Sequence, residues 1–489
     1  MILRTEPMKQ QLAAVQKLKP FKVGALFMDM GTGKSLAAIM LALSRRKVRR
    51  VVWFCPITLK PTIEVEIEKH VEDASVYVFD DSTSSTHIPN AYWYVVGIES
   101  MSSSDRVRLA VKKLIDPHTM VILDESGYCA NHKAERTRWI TGLSRPALYR
   151  LMLTGTPIQK GIQDLFSQMF FLDERILGYK SFYSFAANHL EYHERKRGLV
   201  VRAHNVPWIS AKIAPYVYQV TKAECLDLPE KLFEHHWVRM TWEQEELYSR
   251  AKETLFAELM ECDDSDKESV LVYRLFNACR QAACGFWNEY PRLSGRKGDV
   301  TPTVHEAEHR RLETLESVLR QIPEDEKVII WAEWLRDVDD IKAMIARVYG
   351  EDQASELTGR YKGKAREREV SLFRGHRRFL VGLASTGGHG YTFTEASYAG
   401  FYSLGLQYPL YVQAQDRIHR ISQTKPCTYF TINMQGTIDG TLMDLMSRKQ
   451  SIAEYLRENI ESIKDKTTRV SALRRLMGQI KADEQKIAS

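Results

Sequence analysis

The sequence predicts an α/β protein of two lobes, each a parallel sheet flanked by helices, with a helical insertion between them. Three observations carry this. Short apolar runs alternate with helical patterns through the first 160 residues. The same rhythm returns after residue 320. The stretch between is long, helix-patterned and rich in aromatic and charged residues. Buried strands alternating with helices make a parallel sheet covered on both faces.

The elements follow in order. GALFMDM (24–30), VVWFCP (51–56), YWYVVG (92–97), MVILDE (120–125) and RLMLTGTP (150–157) read as strands of the first lobe, residues 1–160. Residues 161–320 read as insertion and linker, with the first lobe ending at 160 or near 225. Within them TWEQEELYSRAKETLFAELMEC and ESVLVYRLFNACRQAACGFW are amphipathic helices. NEYPRLSGRKGDVTPT (288–303) is an exposed loop by its Pro, Gly and Ser content. KVIIWAEW (327–334), SELTG (355–359), RFLVGLAS (378–385), YAGFYSLG (398–405) and CTYFTINM (427–434) are strands of the second lobe, residues 321–450. A charged helical tail occupies 451–489.

Bulk properties bound the function. At 489 residues, with 44% hydrophobic and 27% charged, the chain has material for two or three cores. A net charge of +7 permits a polyanionic partner without demanding one. The seven cysteines form no CxxC pair, so no structural zinc is expected and reduced thiols are. No apolar run reaches membrane-spanning length, and the N-terminus lacks a signal-peptide core. No membrane is expected.

MDMGTGKS (28–35) carries a phosphate-loop core, Gly31-Thr32-Gly33-Lys34-Ser35, although Met28 replaces the first glycine of the strict pattern. Glycines let successive N–H groups turn toward a phosphate, and the following helix adds a positive end. Lys34 reaches phosphates, and Ser35 can ligate magnesium. MVILDE ends in Asp124 and Glu125, a carboxylate for magnesium and one to polarise the attacking water. A glycine turn and an acidic strand end are each common, but both in this order mark a nucleotide hydrolase. DESG (124–127) fits a GTPase pattern, yet TKAE (221–224) lacks the Asp that specifies guanine. In QAQDRIHRISQ (413–423), Gln413, Arg417 and Arg420 are spaced to share one face of a helix.

These motifs together resemble a Swi/Snf-type ATPase of helicase superfamily two, in its compact bacterial or phage-like form. Gln11 in EPMKQQLAAV is similar to the adenine-reading glutamine, and MGTGKS to motif one. FCPITLKPTIEVEIEKH (54–70) resembles motif Ia, VVGIESM (95–101) the segment after it, and DESGYCAN (124–131) motif two. LTGTPIQ (153–159) resembles motif three, and 226–248 the interlobe segment. ASTGGHGYTFTEA (384–396) resembles motif five, and QAQDRIHRISQ motif six. The likeness runs from about residue 7 to about 450.

The resemblance implies two RecA-like lobes, ATP and magnesium, and a DNA-dependent ATPase that moves on duplex DNA; a strand-separating helicase on branched or single-stranded DNA or RNA is the alternative. A catalytically silent relic of the fold is disfavoured because Lys34, Asp124, Glu125, Arg417 and Arg420 are all present. It implies Gln11, Gly31, Thr32, Gly33, Lys34 and Ser35 for ATP, with Ser35 and Asp124 for the metal. Glu125, Arg417, Arg420 and Gln413 are implied as catalytic, the arginines as fingers on the transferred phosphoryl group. Thr154, Gly155, Thr156 and Ser385 would couple nucleotide to motion. Thr58, Lys60, Thr386, Gly388, Lys362 and Lys364 would meet the DNA backbone, with salt-sensitive contacts. The basic runs RRKVRR (45–50), ERKRG (194–198), GRYKGKARER (359–368) and RGHRR (374–378) are further candidates. Ser422 stands where the family has Gly, and Gly127 where relatives carry a side chain that links nucleotide to motif three. The unpaired cysteines and the lack of a membrane span or signal peptide lead to the expectation of a cytoplasmic protein, nucleoid-associated in a bacterial or phage-infected cell, and residues 161–320 with the tail are expected to choose a protein partner.

Overall fold

The first of two sheets is built from strands that alternate in which face they bury. On β2, Val51, Trp53 and Cys55 pack into one core while Val52 and Phe54 pack into the other. Such a strand is buried on both sides, so its apolar run is continuous and only a parallel, helix-covered sheet suits it. The computed structural model describes residues 2–158, 161–192, 200–226, 228–291, 301–387, 391–460, 463 and 465–478. The chain divides into two compact units, residues 1–227 and 228–489.

In the first unit the strands are β1 (Val23–Met28), β2 (Arg50–Cys55), β3 (Val76–Val78), β4 (Trp93–Gly97), β5 (Thr119–Leu123), β6 (Tyr149–Thr154) and, after the small hairpin β7 (Leu190–Tyr192) and β8 (Val200–Ala203), β9 (Val217–Val220). Seven of them form one sheet in the order β3-β4-β2-β5-β6-β1-β9, parallel throughout. Strands β5, β6 and β1 are neighbours, so their carboxyl ends lie side by side. Ligands of open parallel sheets bind at that edge.

In the second unit, β10 (Lys231–Val238) is followed by the helices Trp242–Glu261 and Ser265–Ala283. The antiparallel pair β11 (Phe286–Glu289) and β12 (Thr303–Glu306) comes next, then β13 (Lys327–Ala332), β14 (Ala354–Leu357), β15 (Phe379–Leu383), β16 (Ala396–Phe401) and β17 (Cys427–Met434). Its sheet is also parallel, in the order β10-β17-β16-β13-β15-β14. Residues 161–320, expected as one helical insertion, contribute to both sheets: β9 is an edge of the first and β10 an edge of the second. The expected loop 288–303 begins and ends in β11 and β12, and residues 292–300 between them lie outside the described set.

The second core holds a polar frame. Arg311, 1% exposed, donates to the Ile432 carbonyl at 2.8 Å and pairs with Asp439. Asp439 also accepts from the Met434 N–H at 2.9 Å. Arg280 pairs with Glu333 at 2.6 Å.

Candidate active site

Strand β1 ends at Met28 and the chain turns through Gly31 (φ 84°) and Gly33 (φ 89°) into the Lys34–Leu43 helix. Both glycines occupy the left-handed region, which explains why these two positions are Gly. Met28 is the last strand residue and needs no such freedom, so a side chain is tolerated there. Its carbonyl accepts from Lys34 Nζ at 2.8 Å, which holds the ammonium over the loop. Thr32 is buried and its hydroxyl donates to the Asp29 carbonyl at 2.7 Å. Ser35 lies in the first turn of the helix, half-buried.

Gln11 backs the loop. Its Oε1 accepts from the Met8 N–H at 2.8 Å and its Nε2 donates to the Gly33 carbonyl at 3.1 Å. A Cβ on Gly33 would fall 2.0 Å from that nitrogen, a second reason for glycine. Gln10, which the sequence did not single out, donates to the Thr32 carbonyl at 3.3 Å. Two adjacent glutamines therefore hold the loop through its carbonyls, while the Thr32 N–H donates to the Asp29 carbonyl at 3.3 Å within the loop.

Strand β5 brings Asp124 to the same edge. Its N–H donates to the Phe54 carbonyl at 2.8 Å, and its Oδ1 accepts from the Glu125 N–H at 2.9 Å. Trp53 on β2 donates its indole N–H to Oδ2 at 3.4 Å. Asp124 is pushed up to about 7, first by burial, then by the like charge of Glu125, with Lys34 opposing. Glu125 itself stands at φ 48°, ψ 55°, left-handed and not glycine. Such a conformation costs roughly 1–3 kcal/mol and marks a turn held by its surroundings.

Strand β6 completes the edge. Thr154 Oγ1 accepts from the Thr156 N–H at 3.0 Å, closing the turn through Gly155. A Cβ on Gly155 would lie 3.4 Å from the Met28 carbonyl oxygen and 3.5 Å from Lys34 Nζ, so this turn packs directly on the phosphate loop. Gln168, on the Gln163–Leu172 helix, connects Ser126 to Pro157 by hydrogen bonds at 2.6 Å and 2.6 Å. Neither Trp53 nor Gln168 was legible as a site residue, because each looks like ordinary core or helix until the pairing is known. Gln159 lies outside the described residues.

The donor set fits magnesium and a polyphosphate. Asp124 and Ser35 offer hard oxygen ligands, and among the described residues no group of three or more His, Cys, Asp or Glu is arranged to hold a metal. Magnesium commonly takes one or two protein oxygens and completes its shell with phosphate and water.

In the second unit, QAQDRIHRISQ is not one helix. The Tyr408–Gln415 helix stops before Arg417, so Gln413, Arg417 and Arg420 do not share a helical face. The Arg417 carbonyl accepts from the Phe393 N–H at 2.8 Å, which takes the backbone out of the helical ladder. Arg417, 0% exposed, donates through Nη1 to the Tyr391 carbonyl at 2.8 Å. Arg420, half-buried, donates to Thr392 Oγ1 at 2.7 Å and to the Asp416 carbonyl at 3.0 Å. Both arginines are thus tied to the 391–394 strip of motif five. Ser422, in place of the usual Gly, adds a hydrogen bond to Thr394 at 2.7 Å. Gln413 Oε1 is buried with no hydrogen-bond partner among the described residues. His419 pairs with the Pro229 carbonyl at 2.8 Å, a structural role.

Ser385 and Thr386 lie in a short helix, Ala384–Gly387, after β15; Gly388 lies outside the described residues. Thr58 sits in the short turn Ile57–Leu59, half-buried. Lys60 is directed at the Phe79 carbonyl rather than outward. Lys362 and Lys364 are exposed. Parts of two basic runs are engaged within the protein, although Arg46, Lys47 and Arg49 of the first are exposed. Arg45 donates to the Leu18 and Phe21 carbonyls, and Arg50 pairs with Asp116. Arg377 pairs with Asp352 and Glu369, and Arg378 caps the Ile322, Pro323 and Glu326 carbonyls. ERKRG (194–198) lies outside the described residues.

The chain matches the SNF2-related domain over residues 14–284 and the helicase conserved C-terminal domain over residues 310–422. It is 23% identical over 339 residues to an uncharacterized ATP-dependent helicase of Mycoplasma genitalium, covering 68% of this chain and 30% of that one. It is 24% identical over 444 aligned positions to the human DNA annealing helicase and endonuclease ZRANB3, covering 87% of this chain and 38% of the relative. The chain therefore spans well under half of the length of these curated relatives. Among solved structures, the Hef helicase domain of Pyrococcus furiosus superposes with a TM-score of 0.53 at 14% identity, covering 92% of this chain and 100% of that domain.

Proposed function

This chain belongs to the SNF2-related family and carries its two RecA-like lobes, and from that and the site geometry we propose that it hydrolyses ATP to drive movement along duplex DNA. The observation that carries the reading is the edge formed by β1, β5 and β6. There Lys34 lies over a glycine loop, Gly155 packs against Lys34, and Asp124 and Glu125 end the adjacent strand.

Each residue then has a task. The N–H groups of Gly31 and Gly33 and the ammonium of Lys34 hold the phosphates, joined by the Thr32 N–H once it leaves the Asp29 carbonyl. Ser35 and Asp124 would hold magnesium, which supplies charge neutralisation at the phosphates. Glu125 takes a proton from the attacking water. Arg420, the more exposed of the two arginines, is assigned to the transferred phosphoryl group; Arg417 fixes the motif-five strip beside it and shares that task. Gln413 orients water. Gln11 sets the loop and the base pocket.

Thr58, Thr386, Gly388, Lys362 and Lys364 are assigned to the DNA backbone, with Lys60 available once it leaves the Phe79 carbonyl. The family analogy favours movement on duplex DNA over unwinding. The relatives named as helicases favour a second reading, strand separation. A protein partner through 161–320 is supported by exposed Tyr183, Trp242 and Tyr273. Seven free cysteines suit a reducing, cytoplasmic setting, and no described helix is long and apolar enough to cross a membrane.

The test is ATP hydrolysis by the purified chain, alone and with duplex DNA, single-stranded DNA or RNA, with Glu125→Gln as control. Stimulation by duplex DNA, lost by roughly 10²- to 10⁴-fold in the variant, supports the reading. Stimulation by single strands alone, with strand displacement, replaces it with the helicase. No hydrolysis under any condition overturns both.

A further inference from the structure

We propose that Gln168 is a positioning residue that locks the catalytic turn Asp124–Ser126 to the motif-three turn ending at Pro157, and so relays the state of the nucleotide between them. This rests on the ATP site assigned above.

Gln168 is out of character for its place. It lies on a helix whose neighbouring Leu165, Phe166, Met169 and Leu172 are all buried apolar side chains, and it is itself 0% exposed. Burying an amide without partners costs about 1–3 kcal/mol, which an apolar residue would avoid. Gln168 meets that demand completely. Its Oε1 accepts from Ser126 Oγ at 2.6 Å. Its Nε2 donates to the Pro157 carbonyl at 2.6 Å and to the Asp164 carbonyl at 3.0 Å. One rigid side chain therefore spans two turns that both border the phosphate loop.

The first of those turns has reason to be held. Glu125 is left-handed at φ 48°, and a strained residue persists only when its neighbours fix it. Asp124 on one side is fixed by its own contacts with the Glu125 N–H and Trp53. Ser126 on the other side, also 0% exposed, is fixed by Gln168. Gly127 has no side chain with which to make the connection. Thr154, one of the sequence's candidates for it, accepts from the Thr156 N–H within its own turn. Ser126 and Gln168 make a direct link between the two turns. A shift of Glu125 when the phosphoryl group leaves would pull on Pro157, whose turn packs at Gly155 against Lys34. The relay acts on turnover, not on nucleotide affinity.

The test uses the full chain and three variants. Gln168→Met keeps the volume and removes all three hydrogen bonds. Ser126→Ala removes only the one across to the catalytic turn. The third combines them. DNA-stimulated kcat, the KM for ATP and thermal stability are measured for each. Each single change is expected to lower kcat by roughly 10- to 100-fold, as outer supports of a metal-binding carboxylate do. The KM for ATP stays within about twofold. The double variant is no slower than the slower single one, because both break the same link. Wild-type kcat in the folded single variants, or effects that multiply in the double one, would overturn the relay. If Gln168→Met does not fold, Ser126→Ala alone decides by the same kcat criterion. A wild-type chain that does not hydrolyse ATP at all overturns the nucleotide reading and the relay with it; an active wild type with indifferent variants overturns the relay alone.

Discussion

Asp124 in the first unit and Asp337 in the second are buried carboxylates near the carboxyl edge of a parallel sheet, and burial pushes both up to about 7. Their surroundings differ. Asp124 adjoins a second acid, Glu125, and faces the ammonium of Lys34 on a loop that turns through left-handed glycines. Asp337 lies in the first turn of the Leu335–Tyr349 helix, accepts from Ser403 Oγ at 2.8 Å and feels Arg311 of the buried frame. A displaced proton affinity is thus common to chemistry and to scaffolding. The Lys34 loop beside one of them, and the buried Arg311 frame beside the other, is what separates the two.

The largest expected effect breaks or upholds that distinction directly. Asp124→Asn lowers ATP turnover by roughly 10²- to 10³-fold, whereas Asp337→Asn leaves it unchanged; steady-state hydrolysis reads both. Equal losses would make Asp337 part of the chemistry. Next comes the frame. Asp439→Asn leaves Arg311 buried without its carboxylate and costs about 3–5 kcal/mol of stability, measured by denaturant unfolding of the second unit's transition. A cost near zero would mean that the pair contributes nothing to the fold.

A smaller effect is the pH dependence. An unfolded Asp ionises near its ordinary value of 3.8, while folded Asp337 holds its proton to about 7. Between those values the folded state binds the extra proton, so stability falls as pH rises from about 4 to about 7 and then levels. Asp337→Asn should remove its share of that slope, seen as thermal stability across the range. A slope unchanged in the variant would place the titration elsewhere. The smallest effect concerns the assigned DNA contacts. Replacing Lys362 or Lys364 by Ala reduces the salt dependence of duplex binding by about one phosphate's worth each, with hydrolysis in the absence of DNA untouched.

The first unit's edge was legible because its signals are local. An apolar run ending in Asp124-Glu125 and a Gly31–Ser35 loop each declare themselves within eight residues. The edge strands β9 and β10 were not, since half of an edge strand faces away from the core: in β10, Leu232, Phe233 and Trp237 are all more than 40% exposed. Their mixed composition reads as linker. The 413–423 stretch has the right spacing for a helix, but a hydrogen bond from distant Phe393 ends it. Gln168 was silent for the same reason. Its meaning lies in Ser126 and Pro157, brought to it only by the fold.

The indole of Trp53, set 3.4 Å from the Asp124 carboxylate, gives this molecule an optical handle of its own. Indole emission responds to a neighbouring charge and to the loss of a hydrogen bond, so occupancy of the carboxylate can be followed as fluorescence without any attached dye. The difference between the emission of the wild type and of Trp53→Phe isolates that signal from the other eight tryptophans of the nine in the chain. A stopped-flow trace of that difference would time events at the catalytic turn independently of product formation.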